Sequence, residues 1–361
     1  MTSTRCLLAA IALIVGLANG VAHAQERLPA SIIGATAALS SEQKRVVSDE
    51  FCAPLMSKLV DGEDGEVADA RKKLIAPLSG ASPLFLADYR KLLGTQLHGG
   101  FESERVIVRI NLMIVATALK DLDSVSLLIR GLKDQNPACR YCAAQAIASL
   151  TGSNLKPPAE QQKTLLDALA EAMRHERYEQ VLRQLILALV ELTIPEAMTQ
   201  VFEAINQRVE EHAKQPDLSL TSEIQGLRVL IRQMVKSPPD PDQLKLGALV
   251  NARYFRLCAR LLDKGELGAN AEADCITMIG LTDENLKWLV VKAVKTPLPP
   301  EVTDVRIKVL IANKDWAAVR YRAEVWANLL VERLETDQKK LEIRSETADE
   351  GNSRSEPEAR I

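Results

Sequence analysis

Cys139 and Cys142 stand three positions apart in DQNPACRYCAAQAIASL, residues 134–150, and a CxxC at the start of a helix is a spacing that can do redox chemistry. The free amides of a helix N-terminus stabilise a thiolate, so Cys139 becomes a nucleophile if solvent can reach it. The neighbouring residues point elsewhere. Asn136 reads as an N-cap and Pro137 as the first helical residue, after which Cys139, Cys142, Ala143, Ala146, Ile147 and Leu150 recur at helical spacing on one face. Both thiols are therefore expected in a core. Residue 143 is alanine, where covalent attachment of a c-type haem needs histidine, and no second CxxC or histidine pair completes a zinc set.

The other chemistry-bearing residues are sparse. His98 lies beside two glycines, His175 at a helix end, and His212 in a polar last turn, so solvated or capping roles are expected for all three. HERYE around His175 lacks the second histidine of HExxH, and no GxSxG, Walker or Rossmann fingerprint occurs. Acidic pairs such as Glu210 and Glu211 read as solvated faces. Cys258 and Cys275 bracket a glycine-containing turn, which makes their helices candidate antiparallel neighbours and a disulfide a matter of geometry. No catalytic residue, metal ligand or cofactor is assigned.

The elements that would position these residues are helices. Apolar residues make up 47% of the 361-residue chain and aromatic ones only 4%, a composition of Leu, Ala, Val and Ile suited to stacked helices. Residues 1–24 read as a secretory signal: Arg5, an apolar run over 6–17, and Ala22-His23-Ala24 before the cleavage point. The expected product is exported, periplasmic or extracellular, with no later transmembrane segment, since residues 106–119 are interrupted by Arg109 and Asn111. Residues 25–40 read as a flexible leader and 335–361 as a disordered charged tail. Net charge is −3, of which the signal carries +1 and the tail −3, leaving −1 on the helical body and no electrostatic case for nucleic acid.

Between these ends, proline keeps time. Pro137, Pro158, Pro195 and Pro216 punctuate helical patterns, because proline is tolerated in a first turn and disfavoured inside. Helices are expected at 41–60, 67–78, 83–97, 103–119, 123–132, 137–150, 158–174, 178–193, 195–214 and 220–235. Ser237-Pro-Pro-Asp-Pro241 then reads as a corner opening a more irregular part, 237–334, with a helix over 242–262 and a loop at 264–272. Short helices at 272–279 and 283–295 precede a last pair at 301–312 and 315–334.

The 134–150 pattern returns at 315–330, DWAAVRYRAEVWANLL, and Arg109 to Leu119 aligns with Arg140 to Leu150 at an offset of 31. Asp134, Pro137, Cys139, Arg140, Ala143, Ala146, Ile147 and Leu150 resemble the second helix of HEAT and HEAT-like repeats, with Cys139 at a valine site. Asp315, Val319, Arg320, Ala323, Trp326 and Leu330 form the other copy, with bulky Trp326 at a usually small position; Arg183 marks a weaker one. The resemblance implies an all-α solenoid of about seven antiparallel helix pairs over 41–334, repeats to residue 236 being the more regular. It also implies that Asp134, Arg140, Asp315 and Arg320 belong to a polar ladder between repeats. The function it implies is non-catalytic protein binding or scaffolding on a concave face, with Arg109, Arg140, Arg183 and Arg320 as candidate contacts. The alternative is an enzyme or redox accessory, a HEAT-like lyase or thiol chemistry at Cys139 and Cys142.

Overall fold

The computed structural model describes residues 27–121, 124–152, 157–192, 194–294, 297–304, 306–334, 336 and 338–342. The expected signal sequence and all but a few residues of the expected tail lie outside them. Every regular element among the described residues is helical. By their contacts the chain divides into two compact units, the first ending at Ala146 and the second beginning at Ile147.

The first unit opens where a flexible leader was expected. Leu28, Ile32 and Leu39 are buried, Ile32 on the single turn α1, Ala30–Ile33. Two bonds tie this stretch down: Ser82 donates its amide to Ile33 O at 3.0 Å, and Leu39 N donates to Asp88 Oδ2 at 3.0 Å. Spaced apolar residues with nearby acceptors anchor a segment that lacks helical periodicity. Ser40 caps α2, Ser41–Arg45, in a reciprocal box with Gln43. The chain runs on through a π-helical stretch, Val46–Cys52, into α3, Ala53–Asp61. Then come α4 (Asp64–Ile75), α5 (Pro83–Gly100), α6 (Val106–Leu119), α7 (Val125–Leu132) and α8 (Pro137–Gly152), whose first turns belong to this unit. Helix α3 packs on α4 and α5, α4 and α5 on α6, and α6 on α7.

Helix α6 turns a face to the core that its sequence does not single out. Val108, Leu112, Met113, Val115, Ala116 and Leu119 are buried, whereas the equally apolar Val106, Ile110 and Ile114 are half-exposed. VIVRINLMIVATAL is apolar almost all round, so periodicity cannot choose a face and the neighbouring helices do. Buried Asn111 supports that orientation by accepting from Arg71 Nη1 at 2.9 Å and donating to Ile107 O at 2.7 Å. At Gly131 on α7, a Cβ would lie 2.6 Å from Met113 Sδ and 2.9 Å from the Ala143 methyl, so this glycine permits the close approach of α7 to its neighbours.

The second unit continues with α9 (Ala159–His175), α10 (Glu179–Glu191), α11 (Pro195–Lys214), α12 (Thr221–Lys236), α13 (Pro241–Lys264) and α14 (Ala269–Val294). Short turns α15 (Pro300–Thr303) and α16 (Ile307–Ala312) lead to α17 (Trp316–Leu334) and α18 (Gln338–Leu341). From α9 to α14 the packing follows chain order: α9 meets α10 and α11, α10 meets α11 and α12, α11 meets α12 and α13, and α14 meets α12 and α13; α17 then returns to pack on α13 as well as α14. The expected faces of α9 and α10 are buried, Leu165, Leu166, Leu169 and Met173 on one and Val181, Leu185 and Leu189 on the other. The 237–241 corner is a turn inside this unit, where Asp240 caps α13 in a reciprocal box with Gln243.

One sequence expectation fails here. Residues 272–294 form no pair of short helices but the greater part of one long helix, α14. Gly280, Thr282 and Asp283 look like a break, yet Thr282 Oγ1 donates back to Met278 O at 2.8 Å, while Asp283 is taken by a tertiary partner. Asp283 is wholly buried and accepts from Arg322 Nε at 2.7 Å, Trp326 Nε1 at 2.9 Å and Lys287 Nζ at 2.9 Å. This clasp between α14 and α17 explains Trp326 at a position where small residues were expected. Leu341 on α18 is also buried, within the stretch expected to be tail.

Candidate functional site

The CxxC is built into the core. Cys139 is buried and Cys142 half-buried on α8, both as free thiols. Burial, then the nearby Asp134 charge, pushes the Cys139 thiol up to about 11, and burial also raises Cys142. Thiols so protonated near neutral pH are poor nucleophiles. Beside them Arg109 clasps Asp134 with two nitrogens, Nε to Oδ2 at 2.6 Å and Nη2 to Oδ1 at 3.2 Å, and donates to Ser103 O at 2.7 Å. Desolvation alone would raise the Asp134 carboxyl, but Arg109 and the Asn136 amide hold it below the ordinary range. Arg140 donates to Asp134 O and Gln135 O, each at 2.9 Å, securing the turn that precedes α8. Asp134, Arg109 and Arg140 thus serve one structural junction.

The remaining candidates do not gather. Arg320 pairs with Asp263 at 2.6 Å on an exposed face, and Asp315 accepts from Ala318 N at 3.0 Å as a cap for α17. Arg183 is half-buried on α10. Cys258 and Cys275 are buried as free thiols on the adjacent helices α13 and α14. His175 is exposed and meets Glu171 at 3.1 Å. Among the described residues, no group of three or more His, Cys, Asp or Glu side chains could hold a metal ion.

The most unusual chemistry lies where the sequence reading saw a polar helix end. His212 is only 2% exposed and Glu223 is fully buried, which corrects the expectation of a solvated histidine. Glu223 Oε1 accepts from Arg208 Nε and lies 3.1 Å from His212 Nε2. Glu223 Oε2 and His212 Nδ1 are buried without a hydrogen-bond partner. Burial would raise the Glu223 carboxyl, yet His212 and Arg208 together hold it below the ordinary range. The Tyr254 ring lies edge-on to the imidazole, its centroid 6.1 Å away, and its hydroxyl donates to Ile205 O at 3.0 Å. One turn along, Arg253 pairs with Glu210 and donates to Asn206 Oδ1 at 2.8 Å, so Glu210 is likewise no solvated acid.

Arg208 links this buried cluster to the surface. Its Nη1 reaches Glu176 O and Glu211 Oε2, both at 3.4 Å, and the residue lines a pocket of about 300 Å³ with Arg177, Glu211, Lys214, Gln215 and Leu218. Arg177 stands in the link between α9 and α10, the other walls come from α11 and the turn after it, and Tyr178 beside Arg177 is 54% exposed. Arg177, Arg208 and Lys214 bring cationic side chains to this wall beside Glu211, Arg208 being already paired with Glu223 beneath, and Leu218 gives it an apolar edge.

A sequence signal for the cluster exists. Glu223 sits among Leu220, Leu227, Leu230 and Met234, and His212 follows Ile205 and Val209, so both charged residues interrupt the buried stripes of their own helices. No helix among the described residues is long and apolar enough to cross a membrane. The chain matches no protein-family model, and no curated protein matches it.

Proposed function

We propose that this chain is an exported HEAT-like repeat protein, a solenoid of stacked antiparallel helix pairs, that acts by binding or scaffolding another protein. The observation that carries the reading is the order-following packing of α9 to α14, in which helices meet their next or next-but-one neighbour, as in repeat stacks. The recurrence of the 134–150 pattern at 315–330 supports it from the sequence side. A near-neutral helical body favours a protein partner over nucleic acid. The redox alternative is disfavoured by the burial and raised pKa of Cys139.

The test is chemical cross-linking of the full chain in envelope fractions of its native host, followed by mass spectrometry. A stable partner linked at recurrent lysines is the expected result. Turnover of a small substrate with no stoichiometric partner would sink the reading.

A further inference from the structure

We infer that the pocket between α9, α11 and the turn before α12 receives a carboxylate carried on an apolar stem, namely an acidic side chain of a partner polypeptide. The inference rests on the binding-protein reading and names the chemistry of one contact.

The donors that define the pocket are differently held. Arg208 is fixed from beneath by the buried Glu223 carboxylate and from the side by Glu176 O, which sets the plane of its guanidinium without using all of it. Its Nη2 has no acceptor among the described residues, and an arginine anchored through Nε presents its outer edge as a preformed fork. The Arg177 guanidinium, exposed at the rim, likewise makes no hydrogen bond or ion pair with another described residue. Two guanidinium groups with open donors therefore line the same cavity. Glu211 touches Arg208 Nη1 at a loose 3.4 Å, showing the group that this edge accepts and leaving room for a second.

The same glutamate selects among anions. A phosphate brings close to two negative charges beside Glu211, whereas a single carboxylate is matched by Arg177 and the open edge of Arg208. Leu218 supplies the apolar wall and is 37% exposed, and Tyr178, 54% exposed, adjoins the rim. The Leu218 wall suits the methylene stem of an acidic side chain. The pocket lies at the C-terminal end of α11, so its attraction for anions comes from side chains and not from a helix dipole.

The experiment is selection of displayed random peptides on the full chain, repeated on Arg177→Glu, with circular dichroism to confirm that the exposed substitution leaves the fold intact. Peptides rich in Glu or Asp next to an apolar residue should emerge and bind Arg177→Glu roughly tenfold or more weakly. Replacing their acids with amides should cost a similar factor. Peptides lacking acids, peptides indifferent to Arg177→Glu, or no enrichment at all would overturn the assignment. So would displacement of the peptides by inorganic phosphate at lower concentration than by acetate. A stable partner found by cross-linking elsewhere on the chain would leave the binding-protein reading standing while this site fell.

Discussion

Asp134 and Glu223 each hold an arginine, yet the two carboxylates are satisfied to different degrees. Asp134 engages both oxygens, taking two nitrogens of Arg109 and the amide of Asn136. Glu223 crowds Arg208 and His212 onto one oxygen and leaves the other buried without a partner. The first carboxylate sits in a turn before a helix, where backbone amides are free to be accepted. The second sits inside a helix, where the local amides are already used. An ion pair at an element boundary can close its own hydrogen-bond account, whereas one within a buried stripe depends wholly on tertiary partners.

The largest consequence is expected from Glu223→Ala. It removes the shared carboxylate from Arg208 and leaves His212 buried without its partner, and should lower unfolding free energy by about 3–5 kcal/mol, read from urea denaturation. Asp134→Ala should cost less, about 1.5–3 kcal/mol, because Arg109 keeps its bond to Ser103 O. If Asp134→Ala proves the more damaging, the contrast between boundary and stripe is wrong.

Acid sharpens the same contrast. Both carboxyls lie below their ordinary values of 3.8 for Asp134 and 4.5 for Glu223 in the folded state, so the unfolded chain binds more protons. Their contribution is full above those values and fades as pH falls through the depressed folded ones. Urea midpoints should drop from about pH 5 downward, with a shallower fall in Asp134→Asn. An unchanged slope in that variant would remove Asp134 from the acid response. The smallest effect belongs to Arg320→Ala, whose direct pair with Asp263 is exposed to solvent; about 0.5 kcal/mol or less is expected by the same denaturation measurement.

How much was legible follows from the reach of each signal. The starts of α5, α11 and α13 at or beside proline were readable because they rest on residues a few positions apart. The face of α6 was not, since a helix apolar on all sides carries no direction. The continuity of α14 was also hidden, because the partners that take the Asp283 carboxylate, Arg322 and Trp326, lie some forty residues away. At the candidate site the arginines singled out from the repeat pattern dispersed, Arg109 and Arg140 into a junction and Arg320 to an exposed pair.

The sequence by itself determined that the chain is helical, that Cys139 faces a core, and that Asn136 and Pro137 prepare the start of α8, all consequences of local propensity, capping and periodicity. Only the tertiary structure decided that His212 and Glu223 share a buried site and that Arg177, Arg208 and Lys214 border one pocket. Those residues come from separate elements, and their charges acquire meaning when packing removes water from one side and leaves it on the other.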